Sequence, residues 1–243
     1  MTDRRPSPTC EDDNRSRQIW LSNRSTLLPK LTFHGAAQQV TGSMHILEVG
    51  GKTVVLDCGL FQGKRDASRE LNRRHALPPE DVHAVVVSHA HIDHTGRLPM
   101  LVGGGYNGPI YTTHATKDLC AIMLADAAHI QEEDARYLNK HRPQGAPPVE
   151  PLYEREDAVR TLAQMVSHPY ARWFDVAPGL RARYFDAGHI LGSAGVELEI
   201  TESSVKKTLV FTGDVGRWDM PILRNPAPLP PCDYLICEST YGG

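Results

Sequence analysis

The sequence predicts a layered α/β sandwich, two sheets packed together with helices outside. Three observations predict it. Short β-type runs crowd residues 31–56, helical patterns dominate residues 64–166, and β-type runs return between residues 180 and 237. Strands, then helices, then strands again is the order expected when two sheets share one core. Apolar residues make up 40% of the 243, enough for such a core, and no repeat or heptad pattern competes.

The elements follow in order. The first 29 residues carry Arg4, Arg5, Arg15, Arg17 and Arg24 against Asp3, Glu11, Asp12 and Asp13. They show little apolar periodicity, so a disordered tail (1–29) is expected ahead of one domain (30–243). Leu31–His34, Met44–Val49 and Thr53–Leu56 read as strands, the last two joined by the hairpin signal Gly50-Gly51. Lys64–Arg74 reads as a charged helix, His83–Ser88 as a buried strand, Thr95–Leu101 as a short helix and Pro109–Thr113 as a strand. Leu119, Ile122, Met123, Ala127 and Ile130 recur at helical spacing, which predicts one amphipathic helix over Thr116–Lys140 with that stripe in the core. The Pro-rich stretch Arg142–Pro151 is a surface loop, and Glu154–Val166 a further helix. The closing strands are Leu180–Phe185, Gly195–Ile200, Thr208–Phe211 and Tyr234–Cys237. Gly103–Gly108 satisfies G-x-G-x-x-G, but it follows a helix and precedes a strand, the reverse of a dinucleotide fingerprint. It is a loop.

Composition narrows the function classes. A net charge of −3 supplies no global attraction for a polyanion, so nucleic-acid affinity has to come from a local patch. The run Lys64, Arg65, Arg69, Arg73 and Arg74 is the one candidate, although a solvated helix face explains it equally simply. No apolar stretch approaches the ~20 residues of a membrane span and no signal-peptide core is visible, so a cytoplasmic protein without a membrane partner is expected. The five cysteines form no C-x-x-C pair. Cys232 and Cys237 flank a predicted strand, which separates them by roughly 16 Å, beyond the ~7 Å limit of a disulfide. Cys58 reads as a small buried filler.

Chemistry concentrates in residues 89–94, His-Ala-His-Ile-Asp-His, directly after the apolar Ala84–Val87. Side chains two apart on extended backbone point the same way, so His89 and His91 can grip one metal ion. Asp93 and His94, at the following turn, can face a second. A lone histidine is most often a core or surface residue; four ligand-type residues in one strand-exit loop have the spacing of a metal site. Three further strand ends repeat the pattern: Asp57 before Gly59, His189 after Gly188, and Asp214 after Gly213. Loops at one rim of a sheet are where a metal centre is built. Two zinc ions about 3.5–4 Å apart can share a hydroxide that is nucleophilic at neutral pH. Asp214, with two oxygens, suits the bridge, and Asp57 suits orienting a ligand from behind.

Taken together, these motifs resemble those of the metallo-β-lactamase superfamily. The surrounding words are narrower: Val40-Thr41-Gly42-Ser43, Asp57-Cys58-Gly59-Leu60-Phe61-Gln62-Gly63, Gly188-His189-Ile190-Leu191-Gly192-Ser193 and Glu238-Ser239-Thr240-Tyr241-Gly242 resemble its β-CASP branch of RNA-processing nucleases. The resemblance implies an αββα four-layer sandwich, incomplete at its C-terminal side. It implies one zinc on His89, His91 and His189 and a second on Asp93 and His94, with Asp214 between. Asp57, Asp93, Asp214 and Glu238 become the expected catalytic carboxylates, Glu238 through a histidine beyond Gly243. The β-CASP insertion and two later histidines would follow Gly243, which leaves the second zinc one ligand short.

Three functions compete on this reading. The first is a zinc-dependent ribonuclease that cleaves RNA phosphodiester bonds, with RNA, the missing β-CASP segment and a second copy in a homodimer as expected partners. The second is a small-molecule hydrolase of thioesterase or lactonase type, which needs no clamp domain. The third is a catalytically incomplete half that binds RNA or protein. Metal-dependent RNA cleavage, thioester turnover and metal-independent RNA binding separate the three.

Overall fold

Alternation along the strands builds both sheets in the computed structural model, which describes residues 17–20, 29–202 and 204–242. The first sheet has seven strands in chain order: β1 (Arg17–Trp20), β2 (Lys30–Phe33), β3 (His45–Val49), β4 (Lys52–Leu56), β5 (Val82–Val86), β6 (Ile110–Thr112) and β7 (Met165–Ser167). Pairing is antiparallel from β1 to β4 and parallel from β4 to β7. The second sheet has five strands: β8 (Trp173–Ala177), β9 (Leu180–Asp186), β10 (Ala194–Glu202), β11 (Val205–Phe211) and β12 (Tyr234–Ile236), in the order β12-β11-β10-β9-β8.

Side chains two apart on a strand share a face, and this splits the core in two. Leu47, Leu56 and Val86 of the first sheet meet Tyr184, Leu198 and Leu209 of the second. Their neighbours Val55, Val85 and Val87 point the other way, onto a layer of helices. That layer comprises α1 (Arg65–Asn72), α2 (Ile92–Thr95), α3 (Leu98–Gly103), α4 (His114–His141) and α5 (Arg155–Gln164). The central strands are therefore apolar on both faces, as parallel strands inside a layered fold must be.

Several expectations need correction. Four residues assigned to the tail, Arg17–Trp20, form β1 on the edge of the first sheet, paired with Lys30–Phe33. The rest of the tail prediction lies outside the described residues. The helix expected at Thr95–Leu101 is two short helices broken at Gly96-Arg97, because Pro99 has no N–H to continue the ladder. On α4 the buried stripe is Thr116, Cys120, Leu124, Ala128 and Ala135, whereas Ile122 and Ile130, expected in the core, are 73% and 53% exposed. The helix over Glu154–Val166 gives way to a strand at Met165, and β8 was not expected at all.

Among the described residues, three of the four expected layers are present: helices, sheet and sheet. The outer face of the second sheet is charged. Arg181 meets Glu199 at 2.6 Å, Lys206 reaches the same carboxylate, and Arg183 Nε donates to Glu197 at 2.9 Å. Both guanidiniums lie over the Trp173 ring, at 4.6 and 4.8 Å. This part of the face is stable against water without a helix upon it. No described helix is long and apolar enough to cross a membrane. The described cysteines are free, Cys58 and Cys120 buried, Cys232 and Cys237 exposed. Burial pushes the Cys58 thiol up, which suits a filler better than a thiolate ligand.

Candidate metal centre

All the candidate ligands come from loops at one rim of the two sheets. The loop after β4 supplies Asp57, the loop after β5 supplies His89–His94, the loop after β9 supplies His189, and the loop after β11 supplies Asp214. Backbone hydrogen bonds lock the first two together: Ser43 N–H donates to Asp93 O at 2.8 Å, Cys58 N–H to His94 O at 2.8 Å and Leu60 N–H to Ile92 O at 3.0 Å. Gly59 makes that approach possible, since a Cβ there would lie 1.6 Å from Asp93 O. Gly213, at φ +55, turns the last loop over Ser88, where any Cβ would sit 2.7 Å from the serine's own.

His89, His91, His189 and Asp214 bring one ligand atom each within 4.8 Å of one another. His91 Nδ1 lies 3.0 Å from His89 Nε2 and 3.2 Å from His189 Nε2. Asp214 Oδ2 is 3.7 Å from His89 Nε2 and 3.5 Å from His189 Nε2. Four ligands placed tetrahedrally at about 2.0–2.1 Å from a zinc ion lie about 3.3–3.4 Å apart. The donor set fits the metal in kind and in spacing.

Protonation supports the same reading. Burial, with the His94 cation beside it, pulls His89 down to about 2, and burial with His189 lowers His91. Both present lone pairs. Ser88 fixes the tautomer of His89: its single hydroxyl proton is used on Asp57 Oδ2 at 2.9 Å, so its oxygen accepts from His89 Nδ1–H at 3.0 Å. That leaves Nε2 unprotonated and aimed at the other ligands.

The second group is less complete. His94 Nε2 is 3.2 Å from Asp214 Oδ1 and 3.8 Å from Asp93 Oδ2. Asp93 is not drawn into the four-atom cluster. Burial opposes a charge on His94, but Asp57 and Asp214 outweigh it and push its pKa up to about 10. Asp214 moves the other way, down to about 2: burial would raise it, and His94 dominates.

Asp57 stands behind this group, fully buried, at φ +58. Its carboxylate accepts four hydrogen bonds: Ser43 Oγ at 3.1 Å, Ser88 N–H at 2.8 Å, Ser88 Oγ at 2.9 Å and His94 Nδ1 at 2.7 Å. Left-handed backbone costs a non-glycine residue about 1–2 kcal/mol, and this network holds it there. Glu238 lies at the end of β12, where Oε1 accepts the Val215 N–H at 2.7 Å and so anchors the Asp214 loop. Among the basic run on α1, Arg74 pairs with Glu70 and Arg73 donates to Glu150 O at 2.7 Å, so two of its five cations are used locally.

Sequence reasoning missed the hydroxyls. Ser43, Ser88 and Ser193 orient the ligand loops, Ser193 Oγ by accepting the His189 and Ile190 N–H groups at 3.0 and 3.1 Å. Ser43 and Ser193 stand inside the motif words, which was the available signal.

A two-sheet sandwich whose rim loops gather histidines and aspartates around one point defines a metal-binding protein of lactamase type. Residues 38–172, more than half of the chain, match the metallo-β-lactamase superfamily, and the chain belongs to it. It is 38% identical over 211 residues to "Ribonuclease TTHA0252" of Thermus thermophilus. It is 32% identical over 226 residues to "Transcription termination factor FttA" of Cenarchaeum symbiosum, and 33% over 219 to "Integrator complex subunit 11" of Danio rerio. These matches cover 86%, 91% and 87% of this chain but 43%, 32% and 34% of the relatives. The chain thus spans less than half the length of each. These relatives belong to the β-CASP branch that the motifs resemble, and the superfamily implies a divalent metal at the His/Asp cluster.

Proposed function

We propose that the chain forms the metal-binding part of a ribonuclease that hydrolyses RNA phosphodiester bonds with two zinc ions. One observation carries the reading: Asp214 turns Oδ2 toward His89 and His189 and Oδ1 toward His94, in a chain 38% identical to a relative named a ribonuclease. A carboxylate shared between two ligand groups is what a paired-metal site requires.

We assign His89, His91, His189 and Asp214 to one zinc, and His94, Asp93 and Asp214 to the other. When bound, paired ions supply Lewis acidity and water activation at neutral pH, suited to in-line displacement at phosphorus. The chain's own residues set the geometry. Asp57 takes the Nδ1 proton of His94 and Ser88 takes that of His89, leaving both Nε2 atoms free for metal once His94 gives up its second proton. Glu238 positions Asp214 through the Val215 N–H. RNA is the substrate, in the cytoplasm; a homodimer and the β-CASP segment belong to the same reading.

The test is an assay of the zinc-loaded protein on end-labelled RNA beside a panel of thioesters and lactones. Expected is RNA cleavage that stops on chelation and is absent from Asp214→Ala. Thioester or lactone turnover without RNA products would contradict the proposal.

A further inference from the structure

A cleft of about 930 Å³ opens beside the His94–Asp214 half of the centre. One wall is the loop over residues 36–40, the other is residues 237–240, and Phe33, His45 and Phe211 line it too. No lysine or arginine lines it, and Asp214 and Glu238 are both on its rim. Away from the metals, then, it is built for an uncharged group and not for a second phosphate.

His45 gives the cleft its chemistry. The residue is 3% exposed, and its ring is wedged edge-on between Phe33 (5.0 Å) and Phe211 (5.2 Å). Its Nδ1 is buried and has no hydrogen-bond partner in the folded chain. Phenylalanine would fill this place without leaving a polar atom unsatisfied, an omission that costs about 1–3 kcal/mol. A partner brought in by a ligand accounts for the histidine.

The facing wall is held in one shape. Its ends are closed by His34 N–H on Met44 O at 3.0 Å and by Ala36 N–H on Thr41 O at 3.4 Å. Ala36 and Gln38 are left-handed, at φ 49 and 65, a strain that persists only where surrounding structure imposes it. The loop presents two exposed amides, Gln38 and Gln39, each with donors and an acceptor.

We propose that this cleft seats the nucleobase adjoining the scissile phosphate, with His45 and the Gln38-Gln39 amides as the groups that distinguish one base from another. The inference rests on the RNA-cleaving reading above. A base is planar, uncharged and edged with donors and acceptors, which matches aromatic walls, missing cations and an unpaired imidazole nitrogen.

The experiment is an NMR titration of the zinc-loaded chain with the four nucleoside 5′-monophosphates and with base-free ribose 5-phosphate. At least one nucleotide is expected to bind about tenfold or more tightly than ribose 5-phosphate, the ratio one well-made hydrogen bond supplies. Its shift changes should centre on Phe33, His45 and residues 36–40. In His45→Phe the ratio should fall to about threefold or less, as for loss of that bond. The surface variant Gln38→Ala/Gln39→Ala, which leaves the core untouched, should lower it part of the way. Equal binding of all five compounds, or a ratio unchanged in both variants, would overturn the base pocket and leave the RNA reading standing. If none of the five perturbs the zinc-loaded centre, the RNA reading fails and the pocket with it.

Discussion

On one side of Asp214, three histidines with lowered or unshifted proton affinity face one another across 3.0–3.2 Å, their fourth partner already in place. On the other side a single histidine, pushed up to about 10 by two carboxylates, faces Asp214 at 3.2 Å and Asp93 at 3.8 Å. Both halves draw on the same six residues. Their difference comes from what stands behind them: a neutral serine hydroxyl behind His89, an aspartate behind His94. The first half is assembled as a metal site in the folded chain. The second is assembled as an ion pair, in which a proton holds the place of a cation.

The comparison can be broken by substitution. Asp214→Ala removes the carboxylate common to both halves, so it should have the largest effect. Metal affinity at both positions should fall by more than the roughly 10–100-fold typical of residues behind a ligand. Zinc content by mass spectrometry checks this; loss confined to one ion would show that the halves do not share Asp214.

Asp57→Asn tests the backing carboxylate. It should weaken the His94 half by about 10–100-fold and the His89 half by much less. Equal weakening would mean that Ser88, which touches Asp57, His89 and His94, couples the halves into one unit. Ser88→Ala sharpens the same point: by releasing the His89 tautomer it should cost the first half about tenfold.

Acid stability of the metal-free protein offers a smaller effect. Burial holds His45 down to about 4, with Asp57 raising it and His94 lowering it by less. Its folded pKa is below the unfolded value near 6.5. The stabilisation is therefore present above pH 6.5 and is lost as pH falls through about 4, to the extent of about 3 kcal/mol. His94 has the opposite sign: its contribution is complete below pH 6.5 and is lost as pH rises through about 10. Urea denaturation across pH, with chelator present, should show the acid limb flatten in His45→Phe and the alkaline limb flatten in His94→Gln. An unchanged pH profile in both would contradict these assignments.

The unequal legibility of the sequence has physical causes. His89, His91, Asp93 and His94 were readable because their spacing is local, and the long strands β9 to β11 because alternation survives over seven or more residues. β7 was hidden because Met165–Ser167 follows α5 without a break. The core stripe of α4 was misread because small and polar residues, Thr116, Cys120 and Ala128, fill the tight seam, while Ile122 and Ile130 stay in solvent. Ser88 and His45 carried no signal, since a hydroxyl or a lone imidazole reveals its role only through the groups around it.

Stepwise zinc binding to the metal-free protein, followed by calorimetry with native mass spectrometry to count ions, tests the central claim most directly. The account predicts one ion bound tightly, lost on His91→Ala, and a second held at least about 100-fold more weakly, a difference of about 2.7 kcal/mol. Two ions of equal affinity, or a tight ion that survives His91→Ala and is lost on His94→Gln, would contradict it.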